Sequence, residues 1–232
     1  MNHQGIGQDR QTDVAEFIRA NMHVVAVPSV PEIRLHAAHP GSGLWRLAGD
    51  ADGEGDPPPP YWAYQWAGGL VLARHFLERP EAVRGRRVLD LGAGSGLVGI
   101  AAAMAGARAV LAAEVDRNGV AAIGLNATLN GVEVTAVGGD LTGGPVPEVD
   151  IVAVGDLFYD ADLAVRVTAF LDRCVAAGVE VLVGDPGRAH LPHGRLQLVA
   201  EYAVADVGSG NAATTKPSAV FSFGWAPTIA FR

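Results

Sequence analysis

Apolar and polar positions follow two rhythms along this chain. Between residues 87 and 184, short runs that are apolar throughout, at 87–91, 109–114, 132–137, 150–155 and 179–184, are interleaved with stretches of helical spacing at 97–105, 118–130 and 161–177. Strands apolar on both faces and separated by helices predict a parallel sheet covered on both sides. Beyond Leu196 the rhythm changes. Two strand-like runs, at about 196–204 and 218–224, flank the polar stretch 207–217, the pattern of an antiparallel hairpin closing one sheet edge. The expected fold class is therefore α/β, a doubly wound and mostly parallel sheet ending in an antiparallel C-terminal hairpin.

The first sixty residues obey neither rhythm. Asp13 and Glu16 have capping-box spacing, and Val14, Phe17 and Ile18 then predict a short amphipathic helix at 13–22. Val24 to His36 is strand-like but broken by Pro28 and Pro31. Gly41 to Pro60 is acidic, glycine-rich and ends in four prolines, which predicts an exposed loop with a stiff exit. A helix follows over Gly68 to Glu78, with Leu70, Val71, Ala73, Phe76 and Leu77 on helical spacing, and it stops before Pro80. The expected division is an N-terminal helical and strand extension, 1–60, packed on a core domain, 61–232.

Composition narrows the function classes. A chain of 232 residues with 49% hydrophobic and 18% charged positions suits one globular domain. A formal net charge of -8 disfavours nucleic acid as a partner. The single cysteine, Cys174, sits in a helical run and reads as core; alone it forms neither an intramolecular disulfide nor a cysteine metal cluster. His190 and His193 are three apart with no third ligand nearby, so no metal is expected. The N-terminus lacks the layout of a signal peptide, and no apolar run reaches the roughly 18 residues a spanning helix needs. The expectation is a cytoplasmic protein without a membrane partner; oligomeric state is not readable.

The candidate chemistry begins where the strand at 87–91 runs into Gly92-Ala93-Gly94-Ser95-Gly96. Such a loop lets the backbone approach a ligand, and the helix after it offers free N–H groups. A dinucleotide loop would place a third glycine where Leu97 stands. Asp90, just before the loop, would repel a pyrophosphate but can meet the ammonium of a methionine moiety, which points to S-adenosyl-L-methionine. Glu114 ends the next strand, placed to accept ribose hydroxyls, and Asp140 follows the third strand, within reach of an adenine amino group. The glycines, Glu114 and Asp140 also have plain structural explanations: a tight strand–helix turn, a helix N-terminal carboxylate and an ordinary turn residue, respectively.

These residues, with the D-x-x-Y motif Asp156-Leu157-Phe158-Tyr159, resemble the seven-strand, Rossmann-like S-adenosylmethionine-dependent methyltransferases, and among them the protein lysine methyltransferases carrying that motif. More narrowly, the chain resembles bacterial electron-transfer flavoprotein beta-subunit lysine methyltransferases, through VPSVPEIRLH (27–36), PPPPYWAYQWAGG (57–69), VLDLGAGSG (88–96), GDLFYD (155–160) and VGDPGRAHLP (183–192). The resemblance implies that Trp66 flanks the cofactor, that Asp90, Gly92, Gly94, Glu114 and Asp140 cradle it, with Val115 and Leu141 beside them, and that Asp156 and Tyr159 line the transfer site. It implies a protein substrate, the electron-transfer flavoprotein beta subunit. The chain departs from its relatives at Asp206 to Lys216, where they tend to be acidic, and this bears on the identity of the acceptor.

Transfer from a sulfonium requires alignment and a neutral nucleophile, whereas lysine starts about three units too protonated at pH 7. A carboxylate alone would raise the amine pKa, so orientation is the expected role of Asp156, with Phe158 and Tyr159 as an aromatic wall; Asp156 also reads as a helix N-cap and Phe158 as plain core. Asp185 and Arg188 are tentative substrate contacts or pocket-closing groups, or a salt-bridged turn. Trp62 and Trp66, four apart, have the spacing of a packing pair. A small-molecule N-methyltransferase, an NAD-linked oxidoreductase and a non-enzymatic module of the same fold are the competing classes.

Overall fold

The computed structural model describes residues 14–47, 59–205 and 215–224. A helix at 14–21 (α1) leads into the hairpin β1 (His23–Val27) and β2 (Val30–Ala37). Pro28 lies in the turn, and Pro31 lies where the register breaks, so neither removes a donor from the regular ladder. Asp13, the expected helix cap, falls outside the described residues, as does most of the 41–60 loop. Of that loop, Leu44–Leu47 forms a 3-10 turn.

The body follows in the expected alternation: α2 (Ala67–Glu78), β3 (Arg87–Leu91), α3 (Leu97–Met104), β4 (Ala109–Glu114), α4 (Arg117–Leu129), β5 (Thr135–Gly138), β6 (Ile151–Gly155), α5 (Ala161–Ala176), β7 (Glu180–Asp185), β8 (Leu196–Ala205) and β9 (Thr215–Phe223). The seven-stranded sheet has the order β5-β4-β3-β6-β7-β9-β8. Its first five strands are parallel, and β9 inserts antiparallel between β7 and β8. The hairpin therefore does more than cap the sheet: its second strand pairs with the body, and β8 becomes the edge. β5 is shorter than the apolar run at 132–137 predicts. Gly131, at φ +66, turns the chain there, and Val132 and Val134 pack on the core from outside the strand.

Alternation along β3 divides the core. Val88 faces α2, α3 and the β1–β2 hairpin, whereas Leu89 faces α5. The extension is packed into this arrangement. Val14, Ile18 and Met22 bury against Trp62, Ala121 and Ala122. Fully buried Asn126 accepts from the His36 backbone N–H at 2.9 Å and donates to the Ser95 carbonyl at 2.9 Å, which ties β2 to the glycine loop.

The N-terminal turn of α2 rests directly on the carboxyl ends of β6 and β7, and only glycine permits it. A Cβ on Gly68 would stand 2.2 Å from the Gly184 carbonyl oxygen, one on Gly155 would stand 2.9 Å from the Gly69 nitrogen, and one on Gly184 would stand 2.2 Å from the Gly68 carbonyl oxygen. These contacts are with backbone, which cannot step aside as a side-chain tip can. Gly184→Ala is accordingly expected to lower the unfolding free energy by about 3 kcal/mol, the upper part of the range for overpacking, as read from the urea midpoint.

Candidate active site

At the end of β3 the chain turns through Gly92, Gly94 and Gly96, all at positive φ (+69, +55 and +84). Gly96 is the residue from which α3 begins, so the helix's free N–H groups face the loop. A cavity opens there, bordered by Asp90, Gly92, Gly94, Gln65, Trp66 and Gly69, among others. Asp90 is 1% exposed and accepts from the Gly99 N–H at 2.8 Å. Burial lifts its carboxyl to about 7, against the opposing Gly99 N–H and with a smaller push from the Glu114 charge.

Glu114 is also buried, and its carboxyl is raised by that burial against three backbone N–H groups. It accepts from Gly94 N–H at 2.7 Å and Asp116 N–H at 2.9 Å, so it braces the loop from the neighbouring strand. Asp116 caps α4. Asp140 stands at the end of β5, where the Thr142 hydroxyl and N–H lower its carboxyl pKa. Val115, exposed, and Asp140 with Leu141 lie at successive strand ends and do not border the cavity.

The second cluster gathers at the ends of β6 and β7. Asp156, 6% exposed and at φ +59, is not the cap of α5; Asp160 takes that role by accepting from Leu163 N–H. One Asp156 oxygen accepts from the Gly68 N–H at the start of α2, and the other pairs with Arg188 Nε at 2.6 Å. The Arg188 guanidinium also lies 5.8 Å from the Trp66 ring centroid. Asp185 accepts with one oxygen from the N–H groups of Gly187 and Arg188. Its other oxygen is buried with no donor among the described residues. Burial, helped by the charge of Asp156, pushes the Asp185 carboxyl up. The Asp185 turn is therefore held by backbone, and Arg188 bridges to the neighbouring strand end.

Aromatic rings form the rim. Tyr159 (49% exposed) lies 5.6 Å from Tyr61 (46% exposed), which lies 5.7 Å from Trp66. Trp66 donates from its indole nitrogen to the Tyr61 carbonyl. Of its two readings, wall and core, Phe158 takes the second. It is fully buried beneath α5, because the residue before an outward-facing Tyr159 turns inward, and Tyr61 stands in its place on the wall. Trp62 is core, Trp66 is not, and the two share no helix. Cys174 is buried, which pushes its thiol up to about 11.

Sequence reading missed Tyr61, Gln65, Gly68, Gly69 and Gly155. The adjacent Gly68-Gly69 at a helix start was the available signal. Gln65 presents a buried side-chain nitrogen with no acceptor among the described residues.

This strand order, with a glycine loop after the first strand of the parallel body and carboxylates at consecutive strand ends, defines a class, the seven-strand methyltransferases. Residues 72–154 match the family model for ribosomal protein L11 methyltransferase. A Pyrococcus horikoshii protein described as a candidate RNA methyltransferase has the same fold, with a TM-score of 0.50 at 17% identity, covering 77% of this chain and 94% of that one. Two relatives are more specific. The electron transfer flavoprotein beta subunit lysine methyltransferase of Xenopus laevis is 38% identical over 89% of this chain and 85% of its own length. That of Rattus norvegicus is 35% identical over 94% and 87%. The chain is a methyltransferase and belongs to the electron transfer flavoprotein beta subunit lysine methyltransferase family.

The raised carboxyl of Asp90 has a pH signature. The folded state holds this proton more tightly than the unfolded chain, so the stability it contributes is complete below about pH 4 and is lost as pH rises to about 7. Asp90→Asn cannot ionise. In urea unfolding without ligand, the variant is expected to gain on the wild type by more than about 1 kcal/mol across that interval.

Proposed function

We propose that this protein transfers a methyl group from S-adenosyl-L-methionine to a lysine side chain of a protein, the electron-transfer flavoprotein beta subunit being the acceptor that its relatives' names give. The observation that carries the reading is the juxtaposition of the glycine-loop cavity with a surface-exposed aromatic rim around Asp156. Trp66 belongs to both. Tyr61, Tyr64 and Tyr159 are each more than a third exposed, and an open rim suits a side chain presented by a protein better than an enclosed small molecule. The negative net charge works against a nucleic-acid acceptor. A cytoplasmic setting belongs to the same proposal and is supported by the single cysteine.

The residues present fit the cofactor. Asp90 would take the methionine ammonium, which compensates a buried carboxylate that otherwise has one N–H partner. Glu114 would accept the ribose hydroxyls with the lone pairs its backbone N–H bonds leave free, and Asp140, beyond the cavity border after β5, the adenine amino group. The polar Gln65 nitrogen and the open glycine backbone suit the remaining amino-acid end. When bound, the cofactor supplies an electrophilic methyl group on a sulfonium.

The chain's own task is alignment. The lysine methylenes lie along Tyr61 and Tyr159, and Asp156 accepts a hydrogen bond from the amine. Held in this way, the amine would present its nitrogen lone pair toward the glycine-loop cavity, where the bound cofactor would offer its methyl group. The proton of the incoming ammonium goes to water beforehand.

Calorimetric titration with S-adenosylhomocysteine, followed by tritiated methyl transfer into host lysate, tests the reading. Binding with label on a protein lysine is expected; label confined to small molecules would replace it with a small-molecule N-methyltransferase. Two variants separate the sites. Asp90→Asn is expected to weaken S-adenosylhomocysteine at least about tenfold through loss of a charge-assisted contact. Asp156→Asn is expected to slow methyl transfer about a hundredfold while that affinity stays within about fivefold.

A further inference from the structure

The proposed chemistry leaves a difficulty at Asp156. A bare carboxylate beside a lysine favours the ammonium, the form that has no lone pair to attack with. The structure puts a guanidinium against that carboxylate. Arg188 Nε lies 2.6 Å from Asp156 Oδ1, with the Asp156 side chain 6% and the Arg188 side chain 30% exposed, so solvent screens the pair poorly. The arginine is held there by its own backbone, since its N–H donates at 2.6 Å to Asp185 Oδ1. Its guanidinium reaches from the end of β7 across to the end of β6, next to the Trp66 ring that borders the cofactor cavity.

We propose that Arg188 is a positioning residue that neutralises Asp156, so that Asp156 orients the substrate amine without drawing it into the ammonium form. This rests on the lysine methyl transfer proposed above. Asp156 keeps the direction of its acceptor oxygen, while the guanidinium cancels its charge and repels an arriving cation. The ammonium loses its proton to water. The neutral amine's lone pair then bonds to the methyl carbon as the carbon–sulfur bond breaks, both electrons going to sulfur, and the product leaves as an N-methylated cation.

Other ionisable groups lie on the elements around the pair. Asp185, on β7, adds negative charge that the Gly187 and Arg188 N–H groups offset. Tyr61 approaches from before α2, and Tyr159 and Asp160 follow β6. Glu114, on β4, and Arg166, on α5, act on Tyr159 with opposite signs. His190 lies two residues beyond Arg188, its backbone N–H donating to the Phe158 carbonyl. His190 brings an ionisable side chain close to Arg188 in sequence, so it needs its own control.

The test is the pH profile of single-turnover methyl transfer from tritiated S-adenosylmethionine, at saturation, to purified electron-transfer flavoprotein beta subunit. The full-length wild type is compared with Arg188→Met, Arg188→Gln, Arg188→Lys and His190→Gln. Loss of the guanidinium is expected to move the apparent pKa up by about one unit in the Met and Gln variants, with rates about tenfold lower near pH 7 that converge on the wild type at high pH. Arg188→Lys is expected to keep the wild-type midpoint at a reduced rate, because lysine supplies the charge but not the planar fork. His190→Gln is expected to follow the wild-type profile. Binding of S-adenosylhomocysteine reports folding of each variant, and Gln decides if Met does not fold. A profile that drops uniformly without shifting overturns the proposal, as does a Lys variant shifted like Met, or a midpoint that moves with His190. If the wild type methylates no protein lysine, the proposed function fails instead; transfer with an unshifted Arg188 profile sinks only this inference.

Discussion

The contact on which the site depends is backbone against backbone, where the first turn of α2 meets the carboxyl ends of β6 and β7. Gly68 and Gly184 approach so closely that neither could carry a methyl group, and Gly155 meets Gly69 almost as tightly. Helix N-terminal N–H groups ordinarily face solvent or a cap. Here one of them, on Gly68, is driven onto the Asp156 carboxylate, with no side-chain cap from Trp66. The same docking swings Trp66 to the mouth of the glycine-loop cavity and brings Tyr61 to Tyr159. The glycine-loop cavity and the Asp156 cluster share one wall because one helix end is pressed against two strand ends.

Electrostatics gives the site its second character. Asp90, Glu114, Asp156 and Asp185 are buried carboxylates along neighbouring strand ends, and among the described residues Arg188 is the cation paired with any of them. Burial raises Asp90, Glu114 and Asp185 because backbone N–H groups only partly replace water. A folded protein that keeps such groups together is short of positive charge. Arg188 supplies one cation, and in the proposed function a methionine ammonium at Asp90 would supply another.

The N-terminal extension contributes more than a cover. Asn126 links the His36 backbone to the Ser95 carbonyl, so the β1–β2 hairpin bears on the loop that faces the cavity. Its hydrophobic residues Val27, Val30, Ile33 and Leu35 enter the same core as α2 and α3. Packing of this kind holds the loop's left-handed glycines in one conformation, where isolated they would sample many.

Much of this was legible in one dimension. Apolar strands of fixed length, helices between them and glycines after Asp90 are local features, and the periodicity that marks them is set by the geometry of each element alone. Thus β3, β4 and the helix start at Leu97 appear where the residues place them, and Asp90, Gly92, Gly94 and Trp66 meet at one cavity. Periodicity could not say that β9 inserts between β7 and β8, because hydrogen-bond partners are chosen by the assembled sheet. Nor could it bring Tyr61 to the rim, or pair Arg188 with Asp156 instead of its neighbour Asp185. Those outcomes depend on distances between segments tens of residues apart. They were decided only when α2 settled on the strand ends and fixed which side chains were left facing one another.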